Sequence, residues 1–579
     1  MQHVPRNFKA EATIGPIVLA KPPRSGTDAH VELCLVATDL AMGQLVDQWL
    51  QPPKAEAKRR FSPHLITHHI TLLAIAFYNL FLHPARSIPG PFLCRITPLV
   101  SLYHGMKGKR HLWVHSLHQQ YGTHVRVTPS YVSINSTTAL HEIYGYSKQI
   151  RKARFYTAFP AIKSNPNTHS GIDKVAHGRK RRILSQAFSE SALKGMEDLI
   201  LDRIRFFQRQ LLEAPDDVAG AAASEKGTLK TRNMANWFNY LTFDVLGYLC
   251  FGKSFELLEG TGNRQLPELV DRAAQRHFIC GLWLPLDTHH LDQIVIPKIT
   301  RDRWNFIMKS RQQATLRAKE RTDLGHGARK DFFYYLLNAT DPETGEKLTM
   351  PELWSESNVL MVAGSDTTST SLAAAIFWLV RNPHALRKLE TEIRAAFTDI
   401  EEIVSGAQLN DCHYLKAVID EAMRLSPAVP GGLPREVLPG GFTVDGKFID
   451  AGVDVGTPIY SVHRLPDVYP RPDEFIPERW IEGEVIPSIG TITKLDVDKA
   501  RRAFCPFSIG PRGCIGKGLA LMEMKITLAR LVWEFEVGMP TEGLLRKFGE
   551  DVEGGWEMDD HFVGTKKGPV VELKRRVRG

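Results

Sequence analysis

Before Leu65 the apolar and polar positions follow no sustained period. The first strong pattern is an apolar run from Leu65 to Leu82, where 13 of 18 residues are apolar and none carries a formal charge. As a helix rising about 1.5 Å per residue it would reach about 27 Å, close to the roughly 30 Å of a hydrocarbon core. Lys58-Arg59-Arg60 precede the run, and His83-Pro84-Ala85-Arg86 and Pro89-Gly90-Pro91 follow it. The pattern predicts a membrane helix over residues 61–83 and a proline-rich hinge over 84–91, stiffened because proline cannot continue a helix. His68, His69 and Asn79 weaken the span, and a buried amphipathic helix is the alternative. Basic residues on both flanks leave the orientation open. Residues 1–60 form an extension with no assigned role; Leu33–Leu50 carries Asp39 and Asp47 and makes a poor span.

Beyond the hinge, helical spacing of apolar residues recurs over Leu184–Arg209, Asn233–Leu249, Pro351–Arg381, Asn382–Phe397 and from Lys517 onward. Short strands are expected at Thr123–Val127, Tyr131–Ile134 and Phe442–Ile449, the last folded back at Asp445-Gly446. No repeat is visible. The expected fold is mainly α with small β-sheets, one large domain over 92–579 behind the N-terminal membrane helix.

Composition adds exclusions. Charged residues make up 24% of the 579 and apolar residues 43%, a globular balance. Seven cysteines cannot form a disulfide scaffold, and the odd count points to a reducing compartment. Seventy-three basic against 64 acidic residues give a net charge of +9. The clusters Lys58-Arg59-Arg60 and Arg179-Lys180-Arg181-Arg182 lack interleaved aromatics, so they read as solvated surface rather than a nucleic-acid groove.

The chemistry concentrates near the C-terminus, in Phe507-Ser508-Ile509-Gly510-Pro511-Arg512-Gly513-Cys514-Ile515-Gly516. A single cysteine among glycines, just before a helix, suits a thiolate metal ligand. Glycine frees the backbone to turn amides toward the sulfur, and a helix N-terminus favours negative charge and a lowered thiol pKa. A phosphate loop or a buried structural cysteine are the alternatives. Within the longest predicted helix, Ala363-Gly364-Ser365-Asp366-Thr367-Thr368 is poor helix material. Gly364 would let a ligand approach the backbone, threonine hydroxyls would bond back to i−4 carbonyls and distort the helix, and Asp366 with Thr367 would form a proton relay. Glu421 and Arg424 share one helix face, and Arg479 in Pro477-Glu478-Arg479-Trp480 could join them in a carboxylate–diguanidinium cluster.

In this order the four motifs resemble the cytochrome P450 family of haem-thiolate monooxygenases, from about Pro84 to the C-terminus. The resemblance implies the cytochrome P450 fold and haem b with Cys514 as the axial ligand. It implies Arg512 on a haem propionate, Phe507 shielding the thiolate, and Gly510 and Gly516 permitting the loop. Asp366 and Thr367 would serve dioxygen activation, and Glu421, Arg424 and Arg479 would form a structural triad. His177 and Arg181 fall where the family's W-x-x-x-R helix meets the propionates, with His177 replacing the tryptophan. Arg435 falls where many members place another propionate-facing cation.

The implied activity is insertion of one atom of O2 into a hydrophobic small molecule, with electrons from a separate NADPH-dependent reductase. Pro84 to Pro91 and Gly431 to Gly441 resemble filamentous-fungal microsomal members, which implies secondary-metabolite biosynthesis. It also implies the endoplasmic reticulum membrane, with the catalytic domain facing the cytosol. Two alternatives are a haem-thiolate isomerase or dehydratase needing no external electrons, and a detoxifying aromatic hydroxylase. Val359, Val362, Ala363, Val429 and Leu433 are expected near the substrate and are all apolar.

Overall fold

The computed structural model describes residues 63–215, 229–324, 331–540, 545 and 555–577. The chain divides into two compact units, Met1–Ile75 and Ala76–Gly579. The 1–60 extension lies outside the described residues.

The expected membrane helix is replaced by a shorter element. An α-helix covers Pro63–Phe77, 15 residues, and passes into a π turn at Tyr78–Leu82. Among the described residues, no helix is long and apolar enough to cross a membrane. At the π turn Asn79 is buried and its amide donates to the Ile96 carbonyl at 3.0 Å, so a polar side chain points inward. The expected hinge is also docked rather than free. Ile88 is buried, Arg126 N donates to the Pro89 carbonyl at 2.7 Å, and a Cβ on Gly90 would lie 2.3 Å from the Arg126 carbonyl oxygen.

The elements that position the site are, in chain order, β1 (His124–Thr128), β2 (Tyr131–Ile134), β3 (Ile150–Lys152), α1 (Lys174–Ala187), α2 (Glu197–Glu213), β4 (Leu229–Asn233), α3 (Met234–Phe251), α4 (Leu266–Leu282), α5 (Pro297–Leu324), α6 (Met350–Arg381), α7 (Pro383–Ala396), α8 (His413–Leu425), β5 (Arg435–Val437), β6 (Phe442–Val444), β7 (Lys447–Ile449), β8 (Asp454–Gly456), α9 (Lys517–Glu534), β9 (Phe535–Gly538), β10 (Met558–His561), β11 (Val563–Lys566) and β12 (Val570–Arg575). The mainly helical expectation holds. The single helix expected over Leu184–Arg209 is broken, because the Ser189 hydroxyl accepts from Ala192 N and caps a separate short helix, Glu190–Lys194, before α2.

α3 and α6 form the centre. α3 is buried at most of its positions, as a helix apolar on all sides must be. Thr349 and Glu352 form a capping box at the start of α6, and Leu372 to Ile376 are buried in its second half. A five-stranded sheet of order β1-β2-β8-β5-β3 lies on one side, and its register sets Lys152 opposite Arg435. The β6–β7 hairpin turns at Asp445 and Gly446, both with positive φ, as a two-residue hairpin requires. The C-terminal hairpin β10–β11 turns at Phe562 and packs on α6.

Candidate active site

The loop before α9 is held by its own backbone. Cys514 N donates to the Phe507 carbonyl at 2.8 Å and Gly513 N to the Gly510 carbonyl at 3.0 Å. Gly510 is obligatory: its φ is +68°, and a Cβ there would lie 2.1 Å from the Tyr144 carbonyl oxygen. Gly516 is not, since its φ of −83° is open to any residue and a Cβ would make ordinary contact with Phe188 and the Cys514 sulfur. The thiol faces a cavity lined also by Phe507, Thr367 and Thr368. Its pKa is raised, against the sequence expectation. Burial outweighs the Gly516 and Lys517 amides and the Arg181 and Lys517 charges, which pull it down. A metal at this sulfur would displace its proton.

Basic side chains gather at one side of the cavity. Lys152, His177, Arg181, Arg435 and Arg512 all line it, and among the described residues none of them has a carboxylate within ion-pair distance. Arg512 donates to the Gly171 carbonyl at 2.6 Å, Arg181 to the Gly513 carbonyl at 2.8 Å, and Arg435 to the Leu433 and Pro434 carbonyls at 3.1 Å. Lys152 donates to the His169 carbonyl. Burial, then Arg435 and Arg512, push the Lys152 pKa well down, and burial with Arg435 brings Arg512 to about 10. His177 falls to about 3, by burial first and then by Arg512 and Lys152. Like charges opposite one another on paired strands are unfavourable unless an anion lies between them. A cavity with a thiol and a crescent of unneutralised cations fits haem, whose propionates carry the missing negative charge. Lys152 was invisible to motif reasoning, since it sits in a three-residue strand and only the register sets it against Arg435.

α6 runs unbroken through Gly364. A Cβ on Gly364 would lie 2.6 Å from Leu246 Cδ1, so the glycine admits a neighbouring helix as well as bordering the cavity. The Thr367 hydroxyl donates to the Ala363 carbonyl at 2.7 Å, as expected, without interrupting the helix. Thr367 lines the cavity; Asp366 is buried behind it and does not. Its carboxylate meets Lys566 Nζ of β11 at 3.1 Å, and that ammonium also donates to Asn239 and Ser369. Burial raises the Asp366 pKa, with Lys566 opposing the rise. Lys566 is a second residue that sequence reasoning missed.

The Glu421 cluster forms as expected. Arg424 reaches its two oxygens at 2.8 and 2.9 Å, Arg479 Nε one of them at 3.0 Å, and Trp480 Nε1 and Ile476 N complete the shell at 3.0 Å. Despite burial, the two guanidinium groups hold Glu421 down at about 2. Arg424 and Arg479 then bind the Pro472, Glu474 and Pro470 carbonyls, which pins the preceding loop. The basic run 179–182 is not a solvated face. Arg179 and Lys180 meet Glu352, Lys180 also Glu356, and Arg182 meets Asp341 and Glu343, which ties α1 to α6 and the segment before it.

A family model described as Cytochrome P450 matches residues 88–552. The chain is 36% identical over 518 residues to the cytochrome P450 monooxygenase atnE of Emericella nidulans, a match covering 88% of this chain and 96% of that one. It is 35% identical over 523 residues to the cytochrome P450 monooxygenase apf7 of Gibberella fujikuroi, with 88% and 97% covered. It is 32% identical over 498 residues to averantin hydroxylase of Dothistroma septosporum, with 84% and 87% covered. A cysteine loop, a cation crescent and a Glu–Arg–Arg cluster thus lie within a sequence similar to these enzymes almost end to end, and the chain belongs to the cytochrome P450 family.

Proposed function

We propose that this protein is a reductase-dependent haem-thiolate monooxygenase that inserts one atom of O2 into a hydrophobic small molecule of fungal secondary metabolism. The observation that carries the reading is one cavity lined by the Cys514 thiol, the Thr367 hydroxyl and five basic side chains without acidic partners. In this reading Cys514 ligates haem iron, Arg512, Arg435 and Arg181 neutralise the propionates, and His177 and Lys152 donate hydrogen bonds to them. Bound haem would supply the iron at which O2 is reduced, a chemistry favoured by an electron-donating axial thiolate. Gly510 holds the loop in its turn and Phe507 covers the sulfur beside Lys517, whose Nζ lies 6.0 Å from the ring. Thr367 presents a hydroxyl to the cavity, and Asp366, whose pKa burial raises, stands one residue behind it as the acid of the relay. Glu421, Arg424 and Arg479 lock the loop over residues 470–474. The isomerase and dehydratase alternative has no need of an acid beside a hydroxyl on α6, which weighs against it.

We also place the protein on the endoplasmic reticulum membrane with its catalytic unit in the cytosol. Phe81, Leu82, Phe92, Leu93 and Leu99 are all exposed near the start of that unit, an apolar patch suited to lipid. Carbonate extraction of microsomes tests this; release of the full chain into the supernatant would count against it.

The deciding experiment is the absorbance spectrum of the reduced, carbon-monoxide-bound protein. A red-shifted Soret band is expected, absent from Cys514→Ala. Without that band in the wild type, the ligand assignment fails. Turnover without NADPH and reductase would overturn the monooxygenase reading, whereas Thr367→Ala is expected to divert reducing equivalents into peroxide.

A further inference from the structure

Rings from four separate segments meet along the same cavity: Tyr156 and Phe159, His169, His277 on α4, and Phe562 at the β10–β11 turn. Phe159 stacks on His277 at 5.2 Å between centroids with 28° between planes, and meets Phe562 at 5.1 Å. His169 lies 5.4 Å from Phe562 and 5.6 Å from Tyr156. Packed on one another, with Lys152 Nζ 4.1 Å from the Tyr156 centroid, these rings give the cavity one rigid apolar wall, which suits a rigid apolar ring system.

Two of the rings also have polar edges. Arg303 Nε donates to His277 Nε2 at 2.8 Å. A guanidinium has no lone pair to offer, so Nε2 is the acceptor, and in the neutral ring the proton sits on Nδ1. The ring is neutral, because burial and then Arg303 and Arg276 push its pKa well down. Arg303 is itself anchored on the Pro160 carbonyl at 3.0 Å, beside an Arg276 paired with Asp287 and Asp292 at 2.7 and 2.8 Å. The tautomer is therefore built in. No described residue accepts from His277 Nδ1, and none engages either ring nitrogen of His169, which burial also keeps neutral.

We propose that His277 is a substrate-recognition residue: a rigid apolar ring system binds against the wall made by Phe159 and Phe562 and presents a neutral acceptor oxygen, a carbonyl or phenolic oxygen, to His277 Nδ1–H. The inference deepens the monooxygenase reading and rests on it for calling the ligand a substrate. A neutral donor favours a neutral oxygen over a carboxylate.

Equilibrium dialysis of the haem-loaded full chain against 9-fluorenone and fluorene tests it, since the two differ in one carbonyl. In His277→Phe, which keeps the stacked ring, the fluorenone-to-fluorene affinity ratio falls by about 10-fold, the worth of one hydrogen bond. His277→Asn, whose amide nitrogen stands near the place of Nδ1, retains most of the ratio. An unchanged ratio in His277→Phe, an equal loss of both ligands, or no binding of either to the wild type overturns the inference. Dialysis does not read oxygen insertion. A protein that passes here and fails NADPH-dependent turnover loses the monooxygenase reading alone, and one that turns over without the ratio change loses only this inference.

Discussion

Glu421→Gln changes one oxygen to nitrogen inside a buried shell. Glu421 and Arg424 are fully buried and Arg479 is 4% exposed, so the two cations keep no other carboxylate within the cluster. Removing one member of a buried ion cluster costs about 3–5 kcal/mol. The depressed pKa gives an independent magnitude. Moving from the ordinary 4.5 to about 2 corresponds to about 3.4 kcal/mol of folding free energy at neutral pH, at 1.36 kcal/mol per pH unit. Because the folded value is the lower one, this contribution is complete above pH 4.5 and is lost as pH falls toward 2. About 0.8 kcal/mol of it has gone by pH 4, which lies within reach of urea titration. Urea unfolding of wild type and Glu421→Gln between pH 7 and pH 4 should show a large gap at pH 7 that narrows by about that amount. A gap below about 1 kcal/mol at pH 7, or one that stays constant to pH 4, would refute the assignment of the charge to this carboxylate.

Lys566→Met should also lose less stability at low pH, for a different reason. It leaves Asp366 buried without a counter-ion, and a carboxyl with a raised pKa stabilises the fold at low pH and loses that contribution as pH rises through its folded value. The variant is therefore expected to lose more stability at pH 8 than at pH 5 in urea unfolding, and an equal loss would contradict the pairing. Gly510→Ala should cost well over 2 kcal/mol and deplete haem, since it meets a backbone oxygen at 2.1 Å in a left-handed conformation, whereas Gly516→Ala should stay within about 1 kcal/mol. Thermal melts and haem absorbance of the two variants compare them directly, and equal tolerance would overturn the distinction.

What the sequence shows is what local rules control. Helical spacing delivers α6 to within a residue at its start, Asp445-Gly446 delivers the β6–β7 turn, and the i, i+3 relation of Glu421 and Arg424 delivers half of the buried cluster. The failures share one cause, a partner far away in the chain. Arg179 to Arg182 look solvated until α6 and the segment before it bring Asp341, Glu343, Glu352 and Glu356 to them. Gly364 borders the cavity as the sequence suggests, but only the fold shows that it also admits Leu246 of α3. The thiol of Cys514 reads as acidified by its helix until desolvation within the cavity is counted, and the cavity is a property of the whole fold.

Lys152 and Arg435 carry that logic furthest. Each strand is three residues long, yet the β3–β5 register sets two basic side chains directly opposite one another, both buried. Shifting the register by one residue would turn every side chain of β3 to the other face, so the juxtaposition is fixed by the same apolar contacts, Ile150 and Val437 among them, that bury the sheet. Like charges so placed oppose the pairing that creates them. With Arg512 and Arg181 added from the cysteine loop's surroundings, the chain gathers at least three more positive charges around one cavity than it neutralises itself. An anion supplied from outside the chain would relieve that opposition. The two carboxylates of a haem edge would do so, and a lone substrate anion would leave part of it unrelieved.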